Sequence, residues 1–154
     1  MENKDIEQMY IRMARLCSRS ERCTEDIRQK IMAEAFSESE ANRIIDKLKS
    51  EKYIDDARYV NFYIGDKFRI NKWGKIKIRY YLKQKGFSDD VIEEGLQGID
   101  DTKYKVTLVK TMKGKAKTIK KKDKYEKSGM IIRFAQNRGY EPELIHRYLN
   151  EVVE

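Results

Sequence analysis

Apolar residues in this chain recur at intervals of three and four rather than alternately, the period of helices that turn one face inward. Met9, Met13, Leu16 and Cys17 form one stripe, Ile27 and Ile31 a second, and Ile44, Ile45 and Leu48 a third. Val60, Tyr63 and Ile64 follow, then Ile78, Tyr81 and Leu82, then Val91, Ile92, Leu96 and Ile99. Pro142 is the one proline, and no Asn-Gly or Asp-Gly pair marks a hairpin. The pattern predicts an all-α protein.

The stripes repeat. Shifting Asp26–Ser37 by 51 positions lays Ile27 on Ile78, Ile31 on Leu82 and Phe36 on Phe87; further on, Ala41 meets Ile92, Ile45 meets Leu96 and Leu48 meets Ile99. A second shift of 53 lays Ile78 on Ile131, Leu82 on Ala135, Gly86 on Gly139, Phe87 on Tyr140, Ile92 on Ile145 and Leu96 on Leu149. Each copy reads as a helix, a small residue with an aromatic, and a second helix. Gly86 and Gly139 stand where a helix ends in a left-handed residue. Ala35 departs from that rule, so the first joint is expected to be built differently. Ser37 with Glu40 has the capping-box spacing, Ser88 suits a plain N-cap and Pro142 a first helical turn. A further amphipathic helix precedes each copy, at roughly 5–18, 56–70 and 102–116. The expectation is three tandem three-helix repeats, 1–54, 55–102 and 103–154, forming an elongated, curved body. The rival is one bundle of eight or nine helices.

Composition supports a folded but highly charged chain. Of 154 residues 39% are charged, against roughly a quarter in an ordinary domain, while ten Tyr and five Phe supply core material. No apolar run approaches the roughly 18 residues of a membrane span. Met1-Glu2-Asn3-Lys4-Asp5 lacks the basic and apolar regions of a secretory signal. A soluble, cytoplasmic monomer is expected. Cys17 and Cys23, with His146 the only histidine, are too few for a zinc site or a disulfide framework and read as reduced thiols.

Charge changes the picture more, because the net +8 is unevenly spread. Residues 65–87 carry eight positive side chains against one negative, and 103–138 carry thirteen against Asp123 and Glu126. Between them 88–102 hold six acids and no base. In the first block Lys72, Lys75, Arg79 and Lys83 follow helical spacing, so one face of a helix is expected to carry them, with Lys77, Trp73, Tyr80 and Tyr81 interleaved. The second, Lys113–Lys127, with Lys115, Lys117 and Lys120-Lys121-Lys122, reads as a mobile basic loop. Both suit a polyanion, whose condensed counterions are released on binding; the plain alternative is a solvated basic surface.

The acidic pairs Asp55-Asp56, Glu93-Glu94 and Asp100-Asp101 lie near helix starts or unit junctions, where carboxylates complement the dipole. No phosphate-cradling loop, His-Glu-x-x-His or nucleophile elbow is present. Neither a metal nor another cofactor is expected, and no enzymatic activity.

The stretch Leu48-Lys49-Ser50-Glu51-Lys52-Tyr53-Ile54-Asp55-Asp56-Ala57-Arg58-Tyr59 resembles the most distinctive motif of the RecX family, regulators of the RecA recombinase. The resemblance continues through Trp73-Gly74, Ile78, Leu82 and Lys85-Gly86-Phe87, and reaches back to Ser18-Arg19-Ser20-Glu21, Asp26-Ile27 and Lys30-Ile31. Lys52 departs from it, standing where a glycine is common. The resemblance implies three tandem three-helix repeats lying in the groove of the RecA–single-stranded-DNA filament, inhibiting recombinase and coprotease activity, with weak non-specific DNA binding. The expected contact residues are Arg58, Lys72, Lys75, Lys77, Arg79, Lys83, Lys115, Lys117, Lys120, Lys121 and Lys122. The competing expectation is an independent DNA-binding module or transcription regulator with a recognition helix; residues 75–85, Lys-rich with only Gln84 to read bases, suit phosphate contact better.

Overall fold

Each apolar stripe becomes the buried face of a helix. The computed structural model describes residues 3–120 and 122–153, and these form α1 (Asn3–Arg19), α2 (Thr24–Ala33), α3 (Glu38–Ser50), α4 (Asp56–Arg69), α5 (Lys75–Gln84), α6 (Asp89–Leu96), α7 (Asp101–Thr118), α8 (Lys124–Asn137) and α9 (Pro142–Val153). Helix packing falls into three groups, α1–α3, α4–α6 and α7–α9. Equivalent positions of the sequence repeat do the same work in each: Ile27, Ile78 and Ile131 are wholly buried, as are Ile31, Leu82 and Ala135, and Ala41, Ile92 and Ile145. Phe36 and Tyr140 are buried and Phe87 half-buried. The accessible surface is 9839 Å², against about 8,200 Å² for a compact protein of this mass. The body is elongated.

Local chemistry sets the helix ends. Ser37 accepts from the Glu40 N–H at 3.1 Å while the Glu40 carboxylate accepts from the Ser37 N–H at 2.8 Å, the predicted capping box. Ser88, Asp55, Asp100 and Asp123 accept from the N–H three residues on and start α6, α4, α7 and α8, each cap worth about 1 kcal/mol. Asp56 accepts from the hydroxyl of Thr24 at 3.0 Å, and Asp101 pairs with Lys105 at 2.9 Å. The Asp55-Asp56 and Asp100-Asp101 pairs are thus helix caps and ties, as expected; Glu93-Glu94 instead lies within α6, away from its start.

The first joint corrects an expectation. Ala35 has φ of 67°, in the same left-handed region as Gly86 at 93° and Gly139 at 94°, and its N–H returns to the Met32 carbonyl as Gly86 returns to Lys83 and Gly139 to Gln136. The joint is built alike, and alanine bears a Cβ clash there that glycine avoids. Ala35→Gly is therefore expected to stabilise the protein by about 1 kcal/mol, read as an upward shift of the denaturation midpoint at constant m-value. Lys52, at 62°, and Lys72, at 59°, end α3 and α4 in the same conformation.

The junctions between units differ. Units two and three share one continuous core, running from Val60, Ile64 and Phe68 through Tyr104 and Leu108 to Tyr140 and Val153. Unit one has its own, built on Met9, Met13, Ile27, Ile31, Ile44, Ile45 and Leu48. It meets unit two through polar links: Thr24 to Asp56, Glu21 to Arg58 at 2.7 Å and Asp26 to Lys85 at 3.9 Å.

The expected basic loop is largely helix. α7 runs to Thr118 and α8 begins at Lys124, so Lys115 and Lys117 lie on α7 and only a short link remains. Tyr104, Leu108, Met112 and Ala116, four apart and all buried, extend the apolar stripe under the lysines. Lys121 lies outside the described residues.

Candidate nucleic-acid interface

α5 begins without a side-chain cap, because its N-cap is Gly74. Unit three supplies the partners instead. The Gly74 N–H donates to the Arg138 carbonyl at 2.7 Å, the Lys75 N–H to the Tyr104 hydroxyl at 2.8 Å and the Ile76 N–H to the Gly139 carbonyl at 3.0 Å. The Tyr104 hydroxyl donates in turn to Glu141. Burial, reinforced by that carboxylate, pushes the Tyr104 phenol far above its ordinary range. Tyr140, pushed up to about 12 mainly by burial, donates to the Lys72 carbonyl at 2.9 Å, and Arg138 reaches the Asn71 carbonyl at 3.0 Å. The first cationic block is held from below by the third unit.

Lys75, Arg79 and Lys83 share a side of α5, as their spacing requires, but that side meets acids and aromatic rings. Arg79 makes a two-point pair with Glu93 of α6, Lys83 pairs with Asp89 at 2.9 Å, and the Lys75 ammonium stands 4.8 Å from the centre of the Tyr104 ring. Lys72 precedes the helix and its ammonium donates to the Arg69 carbonyl. Lys77 lies with Trp73, its ammonium 4.5 Å from the indole. Arg58 pairs with Glu21 and donates to the carbonyls of Lys52 and Tyr53, tying the end of α3 to α4. Two cations of the predicted stripe, Arg79 and Lys83, are therefore matched by carboxylates in place, while Lys72, Lys75 and Lys77 keep their charge against carbonyl and ring partners.

Hydrogen bonding from Arg79 holds Glu93 below the usual carboxylate range. A carboxyl lowered by folding contributes stability that is full above the unfolded value and lost as pH falls through the folded one. Glu93 is 47% exposed, so solvent limits the contribution to less than about 1 kcal/mol. Glu93→Gln is expected to lower stability slightly at pH 7 and to match the parent near pH 3, measured by denaturation across that range.

A second row of lysines is better placed. Opposite the buried stripe of α7, Lys110, Lys113 and Lys117 follow three- and four-residue spacing on the exposed face, and Lys120 continues just beyond the helix. Among the described residues none of the four makes an ion pair. Lys115 folds back to 5.2 Å from the Phe134 ring and Lys122 pairs with Glu126 at 3.5 Å. Lys110 and Lys113 were not among the expected contacts; the four-residue spacing of Tyr104, Leu108, Met112 and Ala116 would have exposed them as a helical row.

Among the described residues no cluster of His, Cys, Asp or Glu could hold a metal ion, and no helix is long and apolar enough to cross a membrane. Cys23 is buried and its thiol is pushed up to about 11, chiefly by burial.

These features define an all-helical tandem-repeat protein with a cationic outer row. The family model for RecX, second three-helix domain, matches residues 55–96. The chain is 34% identical over 129 residues to the regulatory protein RecX of Clostridium botulinum (strain Alaska E43 / Type E3), covering 82% of this chain and 60% of that one. It is 28% identical to the regulatory protein RecX of Chlorobium phaeobacteroides (strain BS1) over 99% of this chain and 98% of that one. The crystal structure of RecX from Lactobacillus salivarius shares the fold, with a TM-score of 0.88 over 98% of each chain at 20% identity. The chain belongs to the RecX family. It spans about 60% of the length of the clostridial relative.

Proposed function

We propose that this protein is a regulator of the RecA recombinase, acting as a monomer in the cytoplasm by lying along the groove of the RecA–single-stranded-DNA filament. Occupying the groove obstructs the second DNA strand and the self-cleaving repressor, so both recombinase and coprotease activity fall. The observation that carries the reading is the row Lys110, Lys113, Lys117 and Lys120, without ion pairs among the described residues, on an elongated helical body, which can follow a phosphate track where a compact basic protein touches it at one point. Lys72, Lys75, Arg79 and Lys83 contribute field rather than free cationic groups, Lys77 adds an ammonium without a carboxylate partner among the described residues, and Lys115, Lys121 and Lys122 flank the row. Arg58, committed to Glu21 and two carbonyls, is left out of the contact set.

The start of α5 is sealed against Tyr104, Arg138 and Gly139, which weighs against its entering a major groove N-terminus first as a recognition helix does. The test is recombinase ATP hydrolysis on single-stranded DNA as this protein is titrated in. A fall at substoichiometric amounts is the expected result; unchanged hydrolysis at tenfold excess refutes the reading.

A further inference from the structure

α5 exposes more aromatic surface than a packed helix needs. Tyr80 is 57% and Tyr81 41% exposed, and Ile76, one turn before Tyr80, is 43% exposed. The rings form a connected set. Tyr80 stands edge-on to Tyr81 at 5.2 Å between centres, and Tyr81 lies 5.2 Å from Trp73 at an interplanar angle of 30°. Cations border the set: the Lys77 ammonium is 4.5 Å from the Trp73 ring, and that of Lys67, on α4, is 5.1 Å from Trp73 and 5.4 Å from Tyr63. Neither Lys67 nor Lys77 makes an ion pair among the described residues, unlike Arg79 and Lys83 on the neighbouring side. The Lys77 ammonium also donates to the Asn137 carbonyl at 3.4 Å, a neutral partner that leaves its charge in place. One side of α5 thus has its charge answered by carboxylates of α6, and the other presents exposed rings beside ammonium groups that no carboxylate holds among the described residues.

We infer that Tyr80 and Tyr81, with Trp73, Lys67 and Lys77, form a stacking platform for the bases of single-stranded nucleic acid. The match is chemical. Unpaired bases offer flat faces that tyrosine rings take without sequence preference, at about 1–3 kcal/mol per base, and the linking phosphates meet the lysines. Net charge is +7 across residues 65–87, so an anionic partner is favoured over an apolar peptide. A duplex hides its base faces and cannot use the rings. The inference rests on the proposed function only for the kind of nucleic acid the filament holds; it assigns this face a mode of contact, through bases, that the α7 lysines cannot supply.

Trp73 is the only tryptophan and reports on the platform directly. Twenty-nucleotide oligothymidylate, titrated into the free protein without recombinase, is expected to quench its fluorescence. An abasic oligonucleotide of equal length, with the same phosphates and no bases, should bind at least fivefold more weakly. Tyr80→Ala should weaken oligothymidylate binding about fivefold or more and remove the difference between the two ligands, while Tyr80→Phe retains parental affinity because the ring is kept. Lys67→Gln with Lys77→Gln should instead flatten the salt dependence. Tyr80 is exposed, and unchanged unfolding midpoints establish that the variants are folded. Equal affinity for the abasic strand overturns the inference. So does a Tyr80→Ala variant that binds oligothymidylate normally yet no longer inhibits recombinase, since the face would then contact protein. Loss of recombinase inhibition by the parent with base-dependent quenching intact would sink the proposed function alone.

Discussion

Gly139→Ala is expected to cost at least about 3 kcal/mol, at the upper end of single substitutions, or to prevent folding of units two and three as one body. Two causes coincide at this residue. Its φ of 94° strains any L side chain, and an added Cβ would stand 2.3 Å from the Lys77 Cβ and 2.6 Å from the Lys77 nitrogen. That neighbour is helix backbone and cannot yield without pulling Ile76 and Gly74 from the carbonyls that cap α5. Two other glycines separate the causes. Gly86 has φ of 93°, and an added methyl there would meet nothing within 4 Å, so Gly86→Ala should cost only the conformational penalty of about 1–2 kcal/mol. Gly74 has an ordinary φ of −82°, yet its Cβ would meet the Gly139 carbonyl carbon at 2.4 Å; Gly74→Ala should fall between. Urea denaturation of the three variants checks the order. A Gly139→Ala midpoint no lower than that of Gly86→Ala would mean that the backbone-to-backbone contact is not maintained in solution.

The helices and their repeat were legible because burial imposes a period that the sequence must keep. Ile27, Ile78 and Ile131 stand at one repeat position and all three are wholly buried. The capping box at Ser37 and Glu40 was equally plain, since it is local. What went unread was set by partners distant in sequence. Lys75, Arg79 and Lys83 have the spacing of a free basic stripe, and only the placement of α6 reveals that Glu93 and Asp89 answer two of them. Arg58 reaches the carbonyls of Lys52 and Tyr53 in its own stretch of chain, but its acid, Glu21, lies 37 residues earlier and is brought beside it by the fold. Ala35 misleads in a different way: composition at the joint suggests another geometry, whereas the backbone repeats and the residue tolerates it. In α7 the difficulty is one of weighting, because Gly114 and a dense run of lysines hide a regular stripe beneath.

Lys113→Gln, Lys117→Gln and Lys120→Gln together are expected to lower affinity for single-stranded DNA and for the recombinase filament by at least about tenfold at low salt, and to reduce the slope of log K against log salt by about 2. The arithmetic is that of counterion release: each phosphate contact on a single strand contributes about 0.7 to the slope, and three are removed. All three side chains are exposed and none is ion-paired among the described residues, so stability should change by less than about 0.5 kcal/mol. The companion variant Arg79→Gln with Lys83→Gln removes two formal charges against three. Its effect on the slope should be well under 1, because Glu93 and Asp89 already hold those cations and their carboxylates would be freed to repel phosphate. Net charge alone predicts losses in the ratio of about three to two; the ion pairs predict a large loss for one and a small one for the other. Binding isotherms at four salt concentrations distinguish these outcomes, and equal slopes for the two variants would remove the α7 row from the interface.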